Sequence, residues 1–416
     1  MAPLFFLALR HWGQVWYFLL LIIGVLHCII SRPKISGRDL VSVMILVAPF
    51  LAVLVASTLR GELLLRSLDS PSRLLGAVPI YFLLRDSIDS GDLDIEKLVT
   101  AITSAAAIGL ITTALLLDGS RTDFYGGRIA TERVDTNALG AYVGIFLCLV
   151  LTGLWKTIRK LLHGAHRRTA YAFLALYLIG LAIGIHLLLE TQSRGGWIGF
   201  LTGLAALLYL TTFDQRNARI ATVSWVTPVL ICTILLSQER HIERALSIPK
   251  EIHSWLTTTQ QSTSGGVRLS MVQLSADLFF EKPLAGHGER GLSEQVLIDK
   301  YSSTYARQTL QDIAGAGPHN GILDQTLENG ILGLTAALLL FLAPVLLVMR
   351  NLSSLTRSAA YENGLIPRIG LVYFLQLLAL TFTSNPYGVR MFAALNALML
   401  ALLLAWCSRD VKVVST

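Results

Sequence analysis

Long apolar runs recur from one end of the chain to the other and are separated by short polar segments. Most of these runs approach the roughly 20 residues that a helix needs to cross a bilayer. The runs are continuously apolar and do not alternate with polar positions, which favours helices over the strands of a membrane barrel. The pattern therefore predicts an all-α polytopic membrane protein. The predicted helices cover residues 14–30, 41–58, 73–86, 97–117, 136–155, 170–190, 196–213, 218–236, 321–349, 365–383 and 388–406.

The predicted spans divide the chain into three parts. A transmembrane bundle covers residues 1–236, a large loop with helices of its own covers 237–320, and the last transmembrane helices cover 321–416. The total is about 11 or 12 transmembrane helices, since the first apolar region could hide a further span.

The short loops predict the orientation of the chain in the membrane. Loop 156–169 carries lysine and arginine but no acidic residue, and loop 350–364 also has an excess of basic residues. Basic residues of short loops collect on the cytoplasmic side. The large loop is therefore expected on the outer face.

Composition agrees with a membrane protein and excludes some other classes. Of the 416 residues, 53% are hydrophobic and only 15% are charged, whereas a soluble domain has about 25% charged residues. The net charge of +7 is explained by the basic cytoplasmic loops and comes with no nucleic-acid-binding motif. We expect membrane lipids, and no nucleic acid, as partners.

Neither a disulfide framework nor a metal site is indicated by the sequence. Cysteine occurs only in or at the ends of the apolar segments. The histidines of the large loop lack the short spacing of metal ligands, and no acid or cysteine pair completes a cluster. No Gly-x-Ser-x-Gly segment suggests a serine nucleophile. The cysteines are Cys28, Cys148, Cys232 and Cys407, and the loop histidines are His241, His253, His287 and His319.

The first candidate site is the polar segment 190–197 between two apolar helices, which contains Gln192 and Arg194. A guanidinium group at membrane depth needs a partner or a wet cavity, and it can grip a diphosphate with paired donors. Gly195 and Gly196 are expected to let the backbone turn sharply beside a ligand. The alternative is a tight outer turn in which Arg194 reaches lipid headgroups and pairs with Glu190.

The second and third candidate sites lie in the large loop. Segment 265–277 predicts a helix that follows two glycines and has Arg268 near its start, where an anion would be favoured. The alternative is a surface arginine on an amphipathic helix. In segment 282–291, three glycines leave backbone amides uncovered as a possible anion cradle, with His287 and Arg290 as candidates. The alternative is a flexible turn that closes a helix.

The fourth candidate site, segment 318–333, lies where the large loop re-enters the membrane. His319 has a proton affinity suited to acid–base work near neutral pH, and Asn320 follows it. Glu328 lies further along the same predicted helix, with Asp324 one turn before it. The alternative is an interfacial histidine that caps a helix.

Together, the four segments resemble the superfamily of O-antigen ligases and O-antigen polymerases. The pattern is a Ser-Arg-Gly-Gly segment between helices, an arginine on an outer-loop helix, a Pro-Leu-x-Gly-x-Gly turn, and a closing His-Asn-x-x-Leu-x-x-x-x-Glu-x-Gly-x-x-Gly helix. Each motif is weak alone, and the resemblance depends on their order and topology. In this chain they are residues 193–196, Arg268, 283–288 and 319–333.

The resemblance implies a GT-C-like membrane fold, usually of twelve helices, in the inner membrane of a Gram-negative bacterium, with the site facing the periplasm. It also implies a glycan donor carried on undecaprenyl diphosphate, lipid A–core as acceptor, and no nucleotide or metal cofactor. Arg194 and Arg268 would hold the donor diphosphate, and His319 would take the proton from the acceptor hydroxyl or orient it. The further candidate substrate-binding residues are Arg290, Asn320, Gln192, His287 and Glu328.

Three activities compete within the superfamily. Polymerases typically carry Arg-x10-Gly motifs in two outer loops, but Ala205 follows Arg194 by that spacing and Phe279 follows Arg268. Protein O-oligosaccharyltransferases usually have a longer outer C-terminal region, which this sequence is not expected to provide. The sequence therefore favours the ligase, an inverting glycosyltransferase.

A transporter of lipid-linked glycans is the alternative from another class. Buried arginines also line transport paths, and a transporter is expected to carry repeats or broken helices in two halves. The polar candidates of this chain gather instead at one face, around one large loop, which favours transfer over transport.

Overall fold

The described part of the chain is built from helices and contains no strand. The computed structural model describes residues 12–62, 65–117, 129, 136–162, 167–212, 239–258, 264–355, 365–387 and 390–408. The helices are α1 (Trp12–Ser31), α2 (Gly37–Arg60), α3 (Asp69–Asp89), α4 (Ile95–Leu115), α5 (Thr136–Leu162), α6 (Arg167–Thr191), α7 (Arg194–Thr212), α8 (Glu239–Thr258), α9 (Ser264–Glu281), α10 (Gly288–Gly291), α11 (Glu294–Tyr301), α12 (Arg307–Ala316), α13 (Gly321–Phe341), α14 (Ala343–Leu355), α15 (Leu365–Thr381) and α16 (Arg390–Cys407).

The predicted fold class is confirmed: the protein is an all-α polytopic membrane protein. Six described segments are long and apolar enough to cross a membrane, and α7, α15 and α16 are shorter apolar helices. Each predicted span that falls on described residues is helical. The predicted span 218–236 lies outside the described residues, so the count of 11 or 12 spans and the three-part division stay predictions.

Helix α5 forms the centre of the bundle. Every residue from 139 to 157 is buried, and α5 packs along both α6 and α7. Helix α1 is at the periphery, where large apolar side chains such as Ile22 and Ile29 are exposed. An exposed apolar face on a membrane helix is the surface that faces lipid, because lipid tails replace protein contacts there.

Polar side chains inside the bundle are bonded to one another. The Asn396 amide nitrogen of α16 donates to the Tyr142 hydroxyl of α5 and to the Pro386 carbonyl, each at 2.9 Å. The Tyr373 hydroxyl of α15 donates to the side-chain oxygen Oδ1 of Asn396 at 2.7 Å. Satisfied polar groups are required at membrane depth, where water offers no alternative partner, and this network fixes three helices relative to one another.

Helices α8 to α12 belong to the large loop and include a second, smaller core. Its members come from α9, α11, α12 and the segments on either side of α11, with one residue from the membrane-spanning helix α13. This contact anchors the loop helices on the bundle. The buried members are Met271, Leu274, Leu278, Leu292, Leu297, Tyr305, Leu310, Ile313 and Leu327. We refer to this side of the bundle as the loop end.

A cluster of charged residues lies at the opposite end of the bundle. Arg85 of α3 forms ion pairs with Asp39 of α2 at 2.8 Å and with Asp86 at 2.6 Å. Asp39 also accepts a hydrogen bond from Tyr81, and Asp86 lies 2.8 Å from the His27 ring of α1. These contacts join α1, α2 and α3. We therefore interpret the charged cluster as a structural one that holds the three helices together.

Candidate functional site

The turn that carries Arg194 is formed by Gln192 and Ser193, between α6 and α7. Gln192 has a φ of 47°, a left-handed conformation that is uncommon outside glycine. Ser193 is buried, and its Oγ accepts a hydrogen bond from the Gly196 amide at 3.2 Å. This contact caps the start of α7. The guanidinium of Arg194 is thereby placed at the first residue of a helix at the loop end.

Gly195 and Gly196 have a different role from the predicted one. Both lie within α7, and neither has a positive φ. A Cβ at Gly196 would lie 2.6 Å from the Gly140 carbonyl of α5, and one at Gly195 would lie 2.5 Å from Thr383 Oγ1. The prediction that they make the turn was wrong. They allow α7 to approach α5 and the segment that follows α15.

Arg194 is bound to helix α8 of the large loop. Its Nη2 donates to Glu251 Oε1 at 2.8 Å and to Ser247 Oγ at 2.6 Å, and its Nη1 donates to Glu251 Oε2 at 3.1 Å. A guanidinium and a carboxylate that meet through two parallel hydrogen bonds form a strong and directional pair. The Arg194 and Glu251 side chains are only 17% and 15% exposed.

Glu251 is held as a carboxylate by several donors. The hydrogen bond from Arg194 is the largest of the effects that lower its pKa to about 2. Ser247 and the backbone amide of Gly265, at the start of α9, donate to the same carboxylate at 2.9 and 2.8 Å. Glu251 therefore connects the arginine of one candidate site to the helix start of another.

Arg268 lies one turn into α9, because the helix begins at Ser264 and includes the two glycines that were expected to precede it. Residues three apart share a face of a helix, so Arg268 is on the same face as Gly265. Its side chain is half-buried. Glu251 thus binds the Arg194 guanidinium and the Gly265 amide, and Arg268 follows one turn later on the face of α9 that Gly265 presents to Glu251.

His319 lies in the short connection between α12 and α13. Its φ of 51° is left-handed, and such a conformation costs about 1–3 kcal/mol in a residue other than glycine. Asn320 follows as the cap of α13, and its Oδ1 accepts hydrogen bonds from the amides of Ile322 and Leu323 at 3.0 and 3.1 Å. The cap fixes the backbone that presents His319.

The segment after α15 connects the Arg194 turn to the His319 turn. Gly195 lies against Thr383, and the neighbouring Ser384 carbonyl accepts a hydrogen bond from the Gly321 amide at 3.1 Å. Asn385 in the same segment donates to Asp324 of α13. Two sequence motifs that lie more than a hundred residues apart therefore meet on one short segment at the loop end.

The third motif packs into a broken rung of helix α13. In an unbroken helix the Ile331 amide would bond to the Leu327 carbonyl. Here the Leu327 carbonyl accepts from the His287 amide at 2.8 Å, and the Ile331 amide donates to the Pro283 carbonyl at 2.8 Å. Gly330, with φ 63° and ψ −146°, makes the break. We call this contact between residues 283–287 and 327–331 the glycine junction.

Arg60 at the end of α2 forms hydrogen bonds to both sides of the glycine junction and stabilises it. Its Nη1 donates to the Glu328 carbonyl at 2.7 Å and also to the Ala285 carbonyl. A small cleft there is lined in part by Arg60, Gly288 and Glu328. The amides of Gly286 and His287 are bonded within the protein, so two amides of the predicted anion cradle already have partners.

His287 is buried in the glycine junction, and its Nε2 donates to the Leu278 carbonyl of α9 at 2.7 Å. Burial lowers the pKa of His287 below its ordinary value of 6.5. The folded state therefore binds this proton more weakly than the unfolded state does, and stability falls as the pH drops below the unfolded value.

We expect the apparent unfolding temperature to fall between about pH 7.5 and pH 5.5, and to fall less steeply in His287→Gln. Glutamine keeps a donor for the Leu278 carbonyl but cannot gain a proton. Unfolding would be followed by intrinsic fluorescence, with the exposed His253 of α8 replaced by glutamine as the matched control. Equal slopes in all three proteins would contradict this role for His287.

Arg290 and the question of a metal site complete the set of sequence predictions. The side chain of Arg290 lies outside the described residues, and its backbone belongs to the short helix α10. Within the segments that the structure describes, no three histidine, cysteine or acidic side chains gather in a way that could hold a metal ion.

Sequence reasoning missed Glu251, Arg60 and the segment 383–385. Ser247, Glu251 and Trp255 are spaced by four residues in the sequence, which would have placed them on one face of a helix. That spacing carries no information about what the face contacts. Arg60 gave no signal, because a basic residue at the end of an apolar span is expected on general grounds.

The fold and the polar loop end define a helical membrane protein whose candidate site lies where a large loop meets the bundle. Residues 179–338 match the family model described as O-Antigen ligase. This segment contains Arg194, Glu251, Arg268 and His319. Over this segment the predicted resemblance to the O-antigen ligase/polymerase superfamily, whose members are glycosyltransferase-like enzymes, is confirmed.

A relative supports the similarity over more of the chain. An uncharacterized protein of Haemophilus influenzae is 24% identical over 292 residues, which cover 70% of this chain and 68% of that protein. The alignment is longer than the family segment, so the similarity also includes helices outside it.

Proposed function

We propose that the protein is an O-antigen ligase that transfers a glycan from undecaprenyl diphosphate to a hydroxyl group of lipid A–core in lipopolysaccharide biosynthesis. The observation that carries the proposal is the position of Arg194. Its guanidinium and the Gly265 amide both bind one carboxylate, which is the donor set that an oxyanion requires. A lipid diphosphate is the substrate oxyanion expected in this superfamily.

In this proposal the two arginines stabilise the leaving group. Negative charge grows on the diphosphate as its bond to the sugar breaks, and fixed donors in a partly dry site stabilise such charge without reorganising. Arg194 would bind through paired donors. Arg268, on the face of α9 that follows the Gly265 amide, would supply the second guanidinium.

In the same proposal His319 acts on the acceptor. An oxygen of the acceptor hydroxyl attacks the anomeric carbon, the bond from that carbon to the diphosphate oxygen breaks, and the hydroxyl proton passes to the imidazole of His319. The products are the glycosylated acceptor and undecaprenyl diphosphate. One displacement inverts the anomeric centre, so a covalent sugar–protein adduct or retained stereochemistry would contradict this mechanism.

The proposed setting is the inner membrane of a Gram-negative bacterium, with the loop end in the periplasm. Two features support it. Basic residues are abundant in loop 156–169, at the end of the bundle away from the large loop, as expected for the cytoplasmic side. The candidate residues also lie at the loop end, where a lipid-linked donor and a lipid acceptor in the same leaflet could both reach them.

The test is transfer by the purified full-length protein in nanodiscs. Undecaprenyl-diphosphate-linked O-antigen and lipid A–core would be supplied with and without a chelator, and the product followed as a shift of lipopolysaccharide on a gel. We expect transfer that depends on both substrates and persists in the chelator, since the proposed chemistry uses arginine and histidine side chains. Transfer that stops in the chelator would contradict the metal-independent mechanism.

Other products would identify other activities. Glycan chains that lengthen on the lipid carrier would mean a polymerase. Transfer to a protein hydroxyl would mean a protein O-oligosaccharyltransferase. Movement of labelled lipid-linked glycan across a vesicle bilayer without any acceptor would mean transport. Each of these results, in the absence of transfer to lipid A–core, would overturn the ligase proposal.

A further inference from the structure

Glu251 occupies the place where the proposed function puts the donor phosphate. Its carboxylate accepts hydrogen bonds from Arg194 at 2.8 and 3.1 Å and from the Gly265 amide at 2.8 Å. These donors belong to two other helices, α7 and α9. A side chain of α8 thus completes an anion site that is otherwise built from α7 and α9.

The Glu251 carboxylate packs closely against the backbone of Gly265. A Cβ at Gly265 would lie 2.7 Å from Glu251 Oε2, so glycine is needed for the carboxylate to reach the start of α9. Carboxylate and phosphate oxygens use the same donors in the same fork geometry. Glu251 therefore holds Arg194 and the first turn of α9 at the separation that one oxyanion spans.

A substrate phosphate and the Glu251 carboxylate could not share these donors. Two anionic groups at hydrogen-bonding distance from the same guanidinium would repel each other, and each would lose part of its solvation. One must leave when the other binds. The substrate is the larger anion, so Glu251 is the group that has to move.

Helix α8 is attached in a way that permits this movement. Its most extensive contact is with α9, and that contact includes polar pairs, such as Trp255 Nε1 donating to Ser270 Oγ at 3.0 Å. Ile252 and Leu256 on α8 are exposed. Exposed apolar side chains contribute little to holding a helix in place, so the described part of α8 is expected to open at low free-energy cost.

We propose that Glu251 is a displaceable positioning residue. In the free protein it keeps Arg194 and the start of α9 ready for an oxyanion, and on donor binding it is exchanged for a phosphate group while α8 moves away. The identification of that anion as the donor phosphate rests on the proposed function. The exchange itself rests on the contacts of Glu251.

If Glu251 competes with the substrate anion, removal of its charge should raise the affinity of the site for anions. Glu251→Gln keeps the shape of the side chain but removes the competing charge. We expect inorganic pyrophosphate to bind the variant about fivefold more tightly than it binds the wild type, which is the upper end of what a partly exposed ion pair contributes. With the lipid-linked donor, KM should fall by a similar factor and kcat should stay the same.

The experiment measures pyrophosphate binding to the full-length protein in nanodiscs by calorimetry, and hydrogen exchange of residues 239–258 with and without pyrophosphate. The matched control is Glu294→Gln on α11, which removes an exposed acid from the same loop. We expect faster exchange in α8 of the wild type on binding, tighter binding by Glu251→Gln, and no change in affinity for the control.

Two results would overturn the exchange. Weaker or unchanged pyrophosphate binding by Glu251→Gln would mean that Glu251 stays paired with Arg194 and only supports it. Absence of binding by both proteins would mean that no anion enters here. The proposed function fails separately: a protein that exchanges Glu251 for pyrophosphate but transfers no glycan keeps the anion exchange and loses the ligase activity.

Discussion

Replacement of His319 by asparagine is expected to slow glycan transfer by about 100- to 10,000-fold, the range that a general base contributes. Asparagine removes the imidazole but is among the residues that best tolerate a left-handed conformation. The backbone at φ 51° should therefore be kept, and the loss should fall on kcat. Rates would be measured from the lipopolysaccharide gel shift at saturating donor and acceptor.

The control for this prediction is His253→Asn, at an exposed histidine of α8, which should leave the rate unchanged. Both variants should keep the elution profile and the unfolding temperature of the wild type. If His319→Asn transfers glycan within about threefold of the wild-type rate, His319 is not the general base.

A second variant separates proton transfer from orientation of the acceptor. His319→Gly removes the side chain and relieves the left-handed strain at the same time. If His319 accepts the proton, added imidazole should restore part of the lost rate, with a dependence on pH that follows imidazole ionisation. Rate that cannot be restored at any imidazole concentration would favour a role in orientation alone.

The membrane helices were the most predictable part of the structure. A bilayer demands long, continuously apolar segments, and that demand can be detected in a single sequence. The predicted ends were less accurate for a physical reason. Helix α5 was predicted to stop at 155 but continues to Leu162, because the basic residues that end the apolar run remain good helix formers beyond the membrane.

The candidate site was predictable only in its individual residues. Arginine at the start of a membrane helix is unusual enough to single out Arg194. The prediction for Gly195 and Gly196, a sharp turn, was wrong. A glycine in a sequence signals either a special backbone angle or a close approach. Which one applies depends on the neighbour that faces it, here Gly140 and Thr383, and these residues are distant in the chain.

Contacts between segments that are distant in the chain could not be predicted from the sequence. The partner of Arg194 is Glu251, 57 residues further along, and the turn that ends α9 fits into a gap in α13. Both contacts depend on how α8, α9 and α13 pack in three dimensions. Local spacing places residues on a face, but it does not say which two faces meet.

The glycine junction also gives a physical reason for the presence of both glycine-containing motifs, 283–288 and 319–333, in this chain. The hydrogen bond that α13 loses between residues 327 and 331 is replaced by two hydrogen bonds to the 283–287 turn, so the Leu327 carbonyl and the Ile331 amide both keep a partner. The turn fixes the end of α9, and α9 carries Arg268. The junction thus connects the membrane-spanning helix to the proposed anion site.

Replacement of Gly330 by alanine is accordingly expected to destabilise the protein by at least about 3 kcal/mol. Its φ of 63° and ψ of −146° lie in a region that is essentially restricted to glycine. A Cβ there would also lie 2.5 Å from the Leu284 carbonyl, and neither backbone can shift without losing the hydrogen bonds of the junction. We expect a low yield of monodisperse protein and a clearly lower unfolding temperature.

Gly315→Ala provides the matched control, because a Cβ at Gly315 would meet nothing within 4 Å. Gly315 lies in helix α12 of the same loop, and alanine is favoured over glycine in a helix by up to about 1 kcal/mol. The control should therefore be as stable as the wild type or slightly more stable. A Gly330→Ala protein with the same unfolding temperature as this control would show that the turn does not need the broken rung. The connection inferred from α13 through the glycine junction to Arg268 would then have to be abandoned, whatever the protein transfers.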